Sequence, residues 1–336
     1  MARTGHRIGL VGATGSLGGE VLADLDASSL RIASLRPIAT DRSLGTDVEF
    51  QGEICPVETE LSGLAGLDAV MLCAPPAASL EGVREALRAE VLCIDCSGAL
   101  LDAEEVPVWS TWLPEAPGIR SAPLFCSPPG PALAWSAVLA PLHERARIRS
   151  VTGTALEAAS ASGRVAIETL YAESLCLFNQ EEPPEPAEIG QPLAFDCLPT
   201  LGEPGAEGQT PYEWMLSQSL RRLLVDDLTV RVTAAHVPAF MGHAASLVIE
   251  TESPIDAKEA REILGQAAGV EVWDHDARGP NLRAAASRET TLVGRLRGDG
   301  SSGGLQLWLA ADLLRLAGHN AVALLAGLLA ERSGDA

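Results

Sequence analysis

A short apolar strand, a glycine-rich turn and a helix at the start of the chain constrain its fold more than any other stretch. Residues 7–11 predict the strand, and Gly12-Ala-Thr-Gly-Ser-Leu-Gly18 predicts a turn before an amphipathic helix at residues 19–25. Gly12 permits a tight turn, Gly15 lets the backbone approach a pyrophosphate, and Gly18 allows close helix packing. Because the spacing is G-x-x-G-x-x-G, an ordinary strand–helix turn is the alternative. We expect a dinucleotide site at Gly12, Thr14, Gly15, Ser16, Leu17 and Gly18.

The end of the second predicted strand bears on which dinucleotide binds. Residues 36–40 form this strand, and Asp41-Arg42-Ser43 follows it. An acidic residue here takes the ribose hydroxyls of NAD, whereas an Arg can bind the 2′-phosphate of NADP. Arg42 favours NADP, with Asp41 leaving NAD open and a solvated loop charge as the plain alternative for Arg42. We expect Thr40, Arg42 and Ser43 to contact the cofactor.

Further strands alternate with helices in the first part of the chain. Residues 69–73, 91–95 and 122–125 predict strands, and residues 80–89 give the clearest helix. This alternation predicts a parallel sheet with right-handed crossovers. The carboxyl ends of parallel strands line the cofactor crevice. We therefore add Cys73, Ala74, Ser97 and Gly98 to the expected cofactor site.

The pattern changes near residue 147. Predicted strands lie at residues 149–156, 229–236, 244–252, 291–296 and 304–311, and predicted helices at residues 160–176, 212–224 and 258–268. The strands at 229–236 and 244–252 are expected to be antiparallel. Residues 179–209 are rich in Pro, Glu and Gly and predict a surface excursion. Within it, residues 192–199 are apolar enough to be buried, with a second subunit as one candidate cover. An apolar helix at 317–332 is expected to return to the first domain.

Composition excludes several classes of partner. The chain has 336 residues and a net charge of −21, which argues against nucleic acid or an anionic membrane. Lys258 is its only lysine, so an anion site must use Arg, backbone N–H groups or helix ends. The seven cysteines are scattered, and no metal site is expected. No apolar run is expected to span a bilayer, and the N-terminus runs directly into a strand, so we expect a cytoplasmic protein without a signal peptide.

A loop that leads into a helix is the place where a catalytic nucleophile would stand. Leu124-Phe-Cys-Ser-Pro-Pro-Gly-Pro131 predicts a strand end and a loop, and residues 132–139 predict an apolar helix that Pro141 helps to stop. Free N–H groups at a helix N-terminus can hold a thiolate or an oxyanion. Whether a nucleophile stands there decides what chemistry the chain can perform.

Several motifs in one order resemble the aspartate-semialdehyde dehydrogenase family. They are Val11-Gly-Ala-Thr-Gly-Ser-Leu-Gly18, Ala39-Thr-Asp-Arg-Ser-Leu-Gly45, Ile94-Asp-Cys-Ser-Gly-Ala99, Pro192-Leu-Ala-Phe-Asp196, His236-Val-Pro-Ala-Phe-Met-Gly-His243 and Asn320-Ala-Val322. The resemblance implies a Rossmann-like NADP-binding domain at residues 1–128 with 317–336. It also implies an α+β dimerisation and catalytic domain at residues 129–316, and a homodimer or a dimer of dimers. Asn320 is expected near the cofactor.

The family's chemistry implies a Cys nucleophile, an acid/base His, a positioning Gln and cationic anchors for substrate and phosphate. Carried over by position, the acid/base His is His243, and the Gln becomes Glu157. The substrate-binding Arg becomes His236, and a gap-free count puts Gly130 at the nucleophile. The phosphate-site Lys and Arg become Met215 and Leu101. Cys126 takes the nucleophile position only if a four-residue insertion is allowed, and its plain alternative is a buried strand-end thiol.

These substitutions resemble the divergent Usg-like branch of the family and leave several hypotheses open. The favoured one is a non-catalytic homologue that binds NADP. The alternatives are an active NADP-dependent semialdehyde dehydrogenase that uses Cys126, and a reductase on another carbonyl substrate with His243 as the acid. Because a carboxylate beside a thiolate is unfavourable, we also expect His236 and Glu157 to form a neutralising pair.

Overall fold

The computed structural model describes residues 5–40, 43, 45–61, 63–114, 122–185, 188–273, 278–298 and 304–333. The chain divides into two compact units. We call residues 1–129 with 317–336 the N-terminal unit, and residues 130–316 the central unit.

A parallel sheet with helices between its strands forms the N-terminal unit. Its elements are β1 (His6–Val11), α1 (Ser16–Ala27), β2 (Ile32–Ile38), β3 (Asp47–Phe50), β4 (Glu53–Pro56), β5 (Ala69–Leu72), α2 (Pro76–Arg88), β6 (Leu92–Asp95) and β7 (Leu124–Cys126). Five strands pair in parallel in the order β2-β1-β5-β6-β7, while β3 and β4 form a separate hairpin. Continuous apolar runs such as Ala69–Leu72 suit strands that are covered on both faces. The predicted parallel sheet is confirmed.

Two boundaries in this unit differ from the prediction. α1 begins at Ser16 rather than at residue 19, because Gly15 already acts as its N-cap and the Gly19 N–H bonds the Gly15 carbonyl. β2 starts four residues earlier than predicted, at Ile32. The pairing of β2 with β1, from His6↔Ile32 to Val11↔Ile38, sets its length, and a local reading of hydrophobicity does not detect such pairing.

A mixed six-stranded sheet forms the core of the central unit. Its elements are α3 (Gly130–Ala146), β8 (Ile148–Glu157), α4 (Arg164–Asn179), α5 (Pro211–Leu223), β9 (Thr229–His236), β10 (His243–Thr251), α6 (Ala257–Leu264), β11 (Val270–Val272), α7 (Leu282–Ala285), β12 (Thr291–Gly298) and β13 (Leu305–Ala311). The strand order is β11-β12-β13-β10-β8-β9. This α+β sheet also confirms the expected fold class.

β9 pairs in parallel with β8, and β10 pairs antiparallel with β8 from the other side, so β9 and β10 run antiparallel to each other as expected, with β8 between them. Two expectations about the central unit are wrong. The helix predicted at residues 160–176 is interrupted at Gly163, whose φ of +88° ends a short 3-10 turn before α4 begins. Pro141 does not stop α3, which continues to Ala146. Burial along most of α3 outweighs the one backbone hydrogen bond that a proline removes.

Two leucines of the segment at residues 192–199 are covered by the same chain, whereas Phe195 is exposed. Leu193 and Leu198 are buried in a cluster with Leu170 of α4. The buried Glu173 carboxylate accepts the N–H groups of Leu193 at 2.9 Å and Ala194 at 3.0 Å. A second subunit is therefore not needed to cover these two leucines.

The C-terminal helix, α8 (Leu313–Ser333), is long and rich in apolar residues. A stretch at Leu313–Arg332 is long and apolar enough to cross a membrane by length and composition, contrary to the expectation that no run would be. Half of that stretch is buried in protein, and Leu324, Leu325 and Leu328 belong to the core of the N-terminal unit. These features are typical of a core helix, and they confirm the expected return of the C-terminus to this unit.

Candidate functional site

The glycine turn is held by close backbone packing. Gly12 has a φ of +84°, and a Cβ there would lie 2.7 Å from the carbonyl carbon and oxygen of Cys73. A Cβ on Gly18 would collide with the Gly12 carbonyl oxygen. Only glycine fits at these two positions, because α1 and the end of β5 both press against the turn.

Gly15 stands at the open side of the same turn. Its N–H bonds the Gly12 carbonyl at 2.9 Å, and a Cβ there would meet only that carbonyl oxygen, at 3.3 Å. The N-cap of α1 is Gly15, which has no side chain to bond the first N–H groups of the helix, at Ser16 and Leu17. Uncapped N–H groups at a helix N-terminus suit a phosphate. The residues present therefore fit a dinucleotide pyrophosphate.

The loop after β2 is tied to the glycine turn by one side-chain contact. The hydroxyls of Thr14 and Ser43 lie 2.9 Å apart, and the Ser43 N–H bonds the Thr40 carbonyl at 2.8 Å. Asp41 and Arg42 lie outside the described residues, so the proposed contact of Arg42 with a 2′-phosphate stays a prediction. Their neighbour Ser43 adjoins the turn in which the phosphates are expected.

Buried Asp95 organises the turn at the end of β6. Its carboxylate accepts the Ser97 N–H at 2.9 Å, the Ser97 hydroxyl at 2.6 Å and the Leu100 N–H at 3.1 Å. Burial raises the pKa of Asp95, and these hydrogen bonds oppose the rise. Gly98 has a φ of +78° in this turn. The structure thus uses the Ser97 hydroxyl to build the turn.

Asn320 of α8 is fully engaged within the N-terminal unit. Its Oδ1 accepts the N–H and hydroxyl of Thr111, at 2.8 and 3.1 Å. Its Nδ2 donates to the Ser127 hydroxyl at 2.9 Å and to the Trp109 carbonyl at 3.4 Å. The side chain is completely buried. Asn320 therefore holds the loop after β7 and the 109–111 segment, and its amide has no capacity left for a cofactor.

Cys126 is a completely buried thiol at the end of β7. It pairs in register with Asp95, and its Sγ lies 3.9 Å from Asp95 Oδ2 and 3.8 Å from the Ser127 carbonyl oxygen. This placement matches the strand-end alternative for Cys126. The thiol belongs to the N-terminal unit, whereas α3 begins the central unit.

Gly130, the first residue of α3, has no room for a side chain. A Cβ there would lie 2.7 Å from both the Cβ and the carbonyl oxygen of Leu313. Contacts below 3 Å to a backbone atom require the backbone to move. A cysteine at this position would therefore disturb the packing of α3 against the start of α8.

A buried hydrogen-bonded chain is centred on His243. Antiparallel pairing of β10 with β8 places His243 opposite Glu157, and His243 Nδ1 lies 2.6 Å from Glu157 Oε1. Trp135 of α3 donates its indole N–H to His243 Nε2 at 3.0 Å. Because an indole N–H can only donate, Nε2 must accept this hydrogen bond. Nδ1 therefore carries the ring proton and donates a hydrogen bond to the Glu157 carboxylate. Both ring nitrogens are thus occupied, and the His243 side chain is completely buried.

Tyr212 extends this chain from α5. Its hydroxyl donates to Glu157 Oε1. Burial raises the pKa of the Tyr212 phenol well above its usual value, and the Glu157 charge raises it further. Thr210 and Glu213 form a capping box that starts α5 and places Tyr212 in its first turn. Sequence reasoning missed Tyr212 and Trp135, because both positions read as ordinary helix residues and only the packing of α3 and α5 on the sheet brings them together.

The expected pair between His236 and Glu157 is wrong. His236 Nε2 bonds the Ser162 hydroxyl at 3.1 Å, and the Glu157 carboxylate bonds His243 and Tyr212 instead. Burial lowers the pKa of His236. The two residues are register neighbours in β9 and β8, but the carboxylate bonds groups on β10 and α5, and the His236 ring bonds Ser162.

The positions expected to hold phosphate are apolar. Leu101 is buried in the N-terminal unit, and Met215 is half-buried on α5. Among the described residues, no group of three or more His, Cys, Asp or Glu side chains is placed to hold a metal.

A parallel sheet with a glycine turn and a separate mixed-sheet unit defines a dinucleotide-binding α/β protein of the dehydrogenase type. Residues 7–120 match the semialdehyde dehydrogenase NAD binding domain, and residues 139–316 match the semialdehyde dehydrogenase dimerisation domain. The chain therefore belongs to the semialdehyde dehydrogenase family. The second match supports a homodimer.

Similar proteins span the whole chain. An aspartate-semialdehyde dehydrogenase of Streptomyces akiyoshiensis is 30% identical, covering 98% of this chain and 100% of that protein. A USG-1 protein homolog of Azotobacter vinelandii is 29% identical, covering 92% and 93%. The crystal structure of aspartate semialdehyde dehydrogenase II from Vibrio cholerae complexed with ASA has a TM-score of 0.91 at 25% identity, covering 98% and 99%.

Proposed function

We propose that this protein is an aspartate-semialdehyde dehydrogenase-like protein that binds NADP and has lost phosphorylating dehydrogenase activity. One observation carries the proposal: His243 is completely buried, and both of its ring nitrogens are hydrogen-bonded to protein groups. A general base must reach the proton that it removes. His243 would have to break its bond with Trp135 before Nε2 could accept a proton.

The missing nucleophile also supports this proposal. Gly130 has no side chain, and its surroundings exclude one. Cys126 is completely buried, and its thiol contacts Asp95. A covalent mechanism needs a thiolate that a substrate can reach. Neither position meets that requirement in this arrangement.

The charges around the candidate site also disfavour an anionic substrate. Glu157 stands where the family's pattern has a neutral Gln, and His236, whose pKa burial lowers, stands where it has an Arg. Met215 and Leu101 supply no charge for phosphate. Each substitution removes an attraction for an anion or adds a repulsion.

The glycine turn supports retained dinucleotide binding. Gly12 and Gly18 close the turn, and the uncapped N-terminus of α1 accepts a pyrophosphate. Arg42 favours NADP over NAD. A bound nicotinamide would supply a hydride acceptor or donor. A cytoplasmic location is also part of the proposal, because the seven cysteines, all within the described residues, form no disulfide, as in reducing compartments.

The test measures binding and turnover separately on the purified protein. Calorimetric titration with NADP and NAD comes first, and NADP reduction with aspartate semialdehyde and phosphate follows. We expect NADP to bind and no turnover to occur. Turnover that a Cys126→Ser variant loses and a Cys55→Ser control keeps would overturn the proposal in favour of an active enzyme. Turnover that survives in Cys126→Ser would favour a reductase without a covalent step.

A further inference from the structure

Two cysteines lie side by side at the carboxyl ends of β5 and β6. The parallel register pairs Leu72 with Asp95, and the Cys96 N–H bonds the Leu72 carbonyl at 2.9 Å. The next residues, Cys73 and Cys96, are therefore neighbours on adjacent parallel strands. Adjacent strands lie about 4.8 Å apart, within the Cα separation of about 4.4–6.8 Å that a disulfide needs.

The two thiols differ in their access to solvent. Cys73 is partly exposed, whereas Cys96 is buried. The neighbouring Cys73 thiol, and then burial, raise the pKa of Cys96 well above its usual value. Cys96 therefore keeps its proton, and its Sγ lies 3.9 Å from the Ile94 carbonyl oxygen that accepts it. A sulfur that is reachable from solvent is the one that can attack an oxidant.

We propose that Cys73 and Cys96 form a reversible redox pair that controls the dinucleotide turn. Cys73 attacks one oxygen of a hydroperoxide, the O–O bond breaks, and a sulfenic acid and water (or an alcohol) are formed. The Cys96 sulfur then attacks the sulfenic sulfur, the S–O bond breaks, and the hydroxyl leaves with the Cys96 proton as water. Two thiols are oxidised to one disulfide, and one hydroperoxide is reduced.

The backbone around Cys73 connects this pair to the turn. The Cys73 N–H bonds the Val11 carbonyl at 2.8 Å, and the Cys73 carbonyl lies against Gly12. Drawing the Cys73 sulfur to bonding distance of Cys96 moves a residue against which Gly12 is packed without spare room. Oxidation should therefore weaken pyrophosphate binding. This consequence rests on the proposed dinucleotide function, whereas disulfide formation does not.

The experiment treats the reduced, purified protein with hydrogen peroxide and maps disulfides by mass spectrometry of peptides. We expect a linked pair of peptides containing Cys73 and Cys96, lighter by two hydrogen atoms and restored by a dithiol. NADP titration of the oxidised protein should give a dissociation constant at least about tenfold higher, with recovery after reduction. Cys55→Ser, a change of another partly exposed cysteine in the same unit, should alter neither result.

Variants separate the pair from general oxidation. In Cys96→Ser, Cys73 should proceed to sulfinic acid without a cross-link, and in Cys73→Ser the peroxide should leave Cys96 unmodified. The proposal is overturned if wild-type protein forms no Cys73–Cys96 link, or if the link forms and NADP binding is unchanged. Failure of the reduced protein to bind NADP would refute the proposed function instead, and the peptide masses would still decide whether the thiols pair.

Discussion

His243 shows how one residue keeps its place while its surroundings change its chemistry. Position alone implied an acid/base role. The structure adds Trp135 at Nε2 and Glu157 at Nδ1, which fixes the tautomer and uses both nitrogens. Tyr212 satisfies the carboxylate further. A buried polar network with every member bonded contributes rigidity, and breaking one member leaves another unsatisfied.

We predict that the Tyr212 phenol resists ionisation while the protein is folded. The chain has two tyrosines, so a Tyr171→Phe variant leaves Tyr212 as the only phenol. Tyr212 should ionise only on unfolding, since burial raises its pKa above the usual value of about 10. The check is ultraviolet absorbance of tyrosinate against pH, with Tyr212→Phe as the matched control.

The same shift gives stability a direction with pH. A pKa that is raised in the folded state means that the unfolded state loses the proton first, so Tyr212 contributes full stability below about pH 10 and loses it as pH rises further. The free energy of unfolding of Tyr171→Phe, measured with urea, should therefore fall more above that pH than the free energy of unfolding of Tyr212→Phe does. If the unfolding free energies of the two variants fall equally steeply with pH, the raised pKa of Tyr212 is contradicted.

We predict that Trp135→Phe destabilises the central unit by about 1–3 kcal/mol, because His243 Nε2 loses its donor while still buried. Urea unfolding at neutral pH measures the change. Trp308→Phe is the comparison, because its indole bonds the Pro280 carbonyl in a half-buried position and should cost less. A loss for Trp308→Phe equal to or larger than that for Trp135→Phe would argue against the network.

At the scale of elements, the strand–turn–helix unit at the start of the chain could be predicted from the sequence. The spacing of Gly12, Gly15 and Gly18 predicts positions where the backbone approaches other atoms closely. The structure shows these close contacts, with Cys73 and within the turn itself. The sequence predicted α3 only in part. Pro141 suggested that the helix ends there, but burial of the helix allows it to continue. Local signals predict element type well, and packing sets where elements end.

We predict that Gly18→Ala weakens NADP binding at least about tenfold, because a Cβ at residue 18 collides with the Gly12 carbonyl and pushes α1 off the turn. Gly19→Ala is the matched control, one residue further along the same helix, where a Cβ meets nothing. It should bind NADP normally and be slightly more stable, by about 0.5–1 kcal/mol. Calorimetric titration of both variants decides, and equal affinities would refute the steric argument.

At the scale of the whole molecule, one face of the central sheet is open. Thr152 and Thr154 of β8, Arg231 and Thr233 of β9, and Val248 of β10 are exposed on this face. Helices α3 and α5 pack against the same sheet, on strands β8, β9 and β10. A sheet with one uncovered face suits pairing with another copy, in keeping with the dimerisation-domain match.

We predict that the homodimer forms through this face. Wild-type protein should give twice the chain mass of 35.0 kDa by light scattering. Thr154→Arg places a charge at the centre of the face and should shift the equilibrium to monomer, whereas Gln266→Arg, on an exposed position away from these strands, should leave the dimer intact. A dimer that survives Thr154→Arg at low protein concentration would place the interface elsewhere.

The sequence by itself determined the fold class, with its parallel sheet, glycine turn and separate mixed-sheet unit. These features rest on strand periodicity, the glycine turn and the order of motifs. Each can be recognised in the sequence without knowing which distant residues it contacts. Only the tertiary structure decided what Glu157, His236 and His243 do. Their partners Tyr212, Ser162 and Trp135 lie far away in sequence on other elements, and hydrogen bonds between side chains depend on strand register and helix packing, which no local pattern encodes.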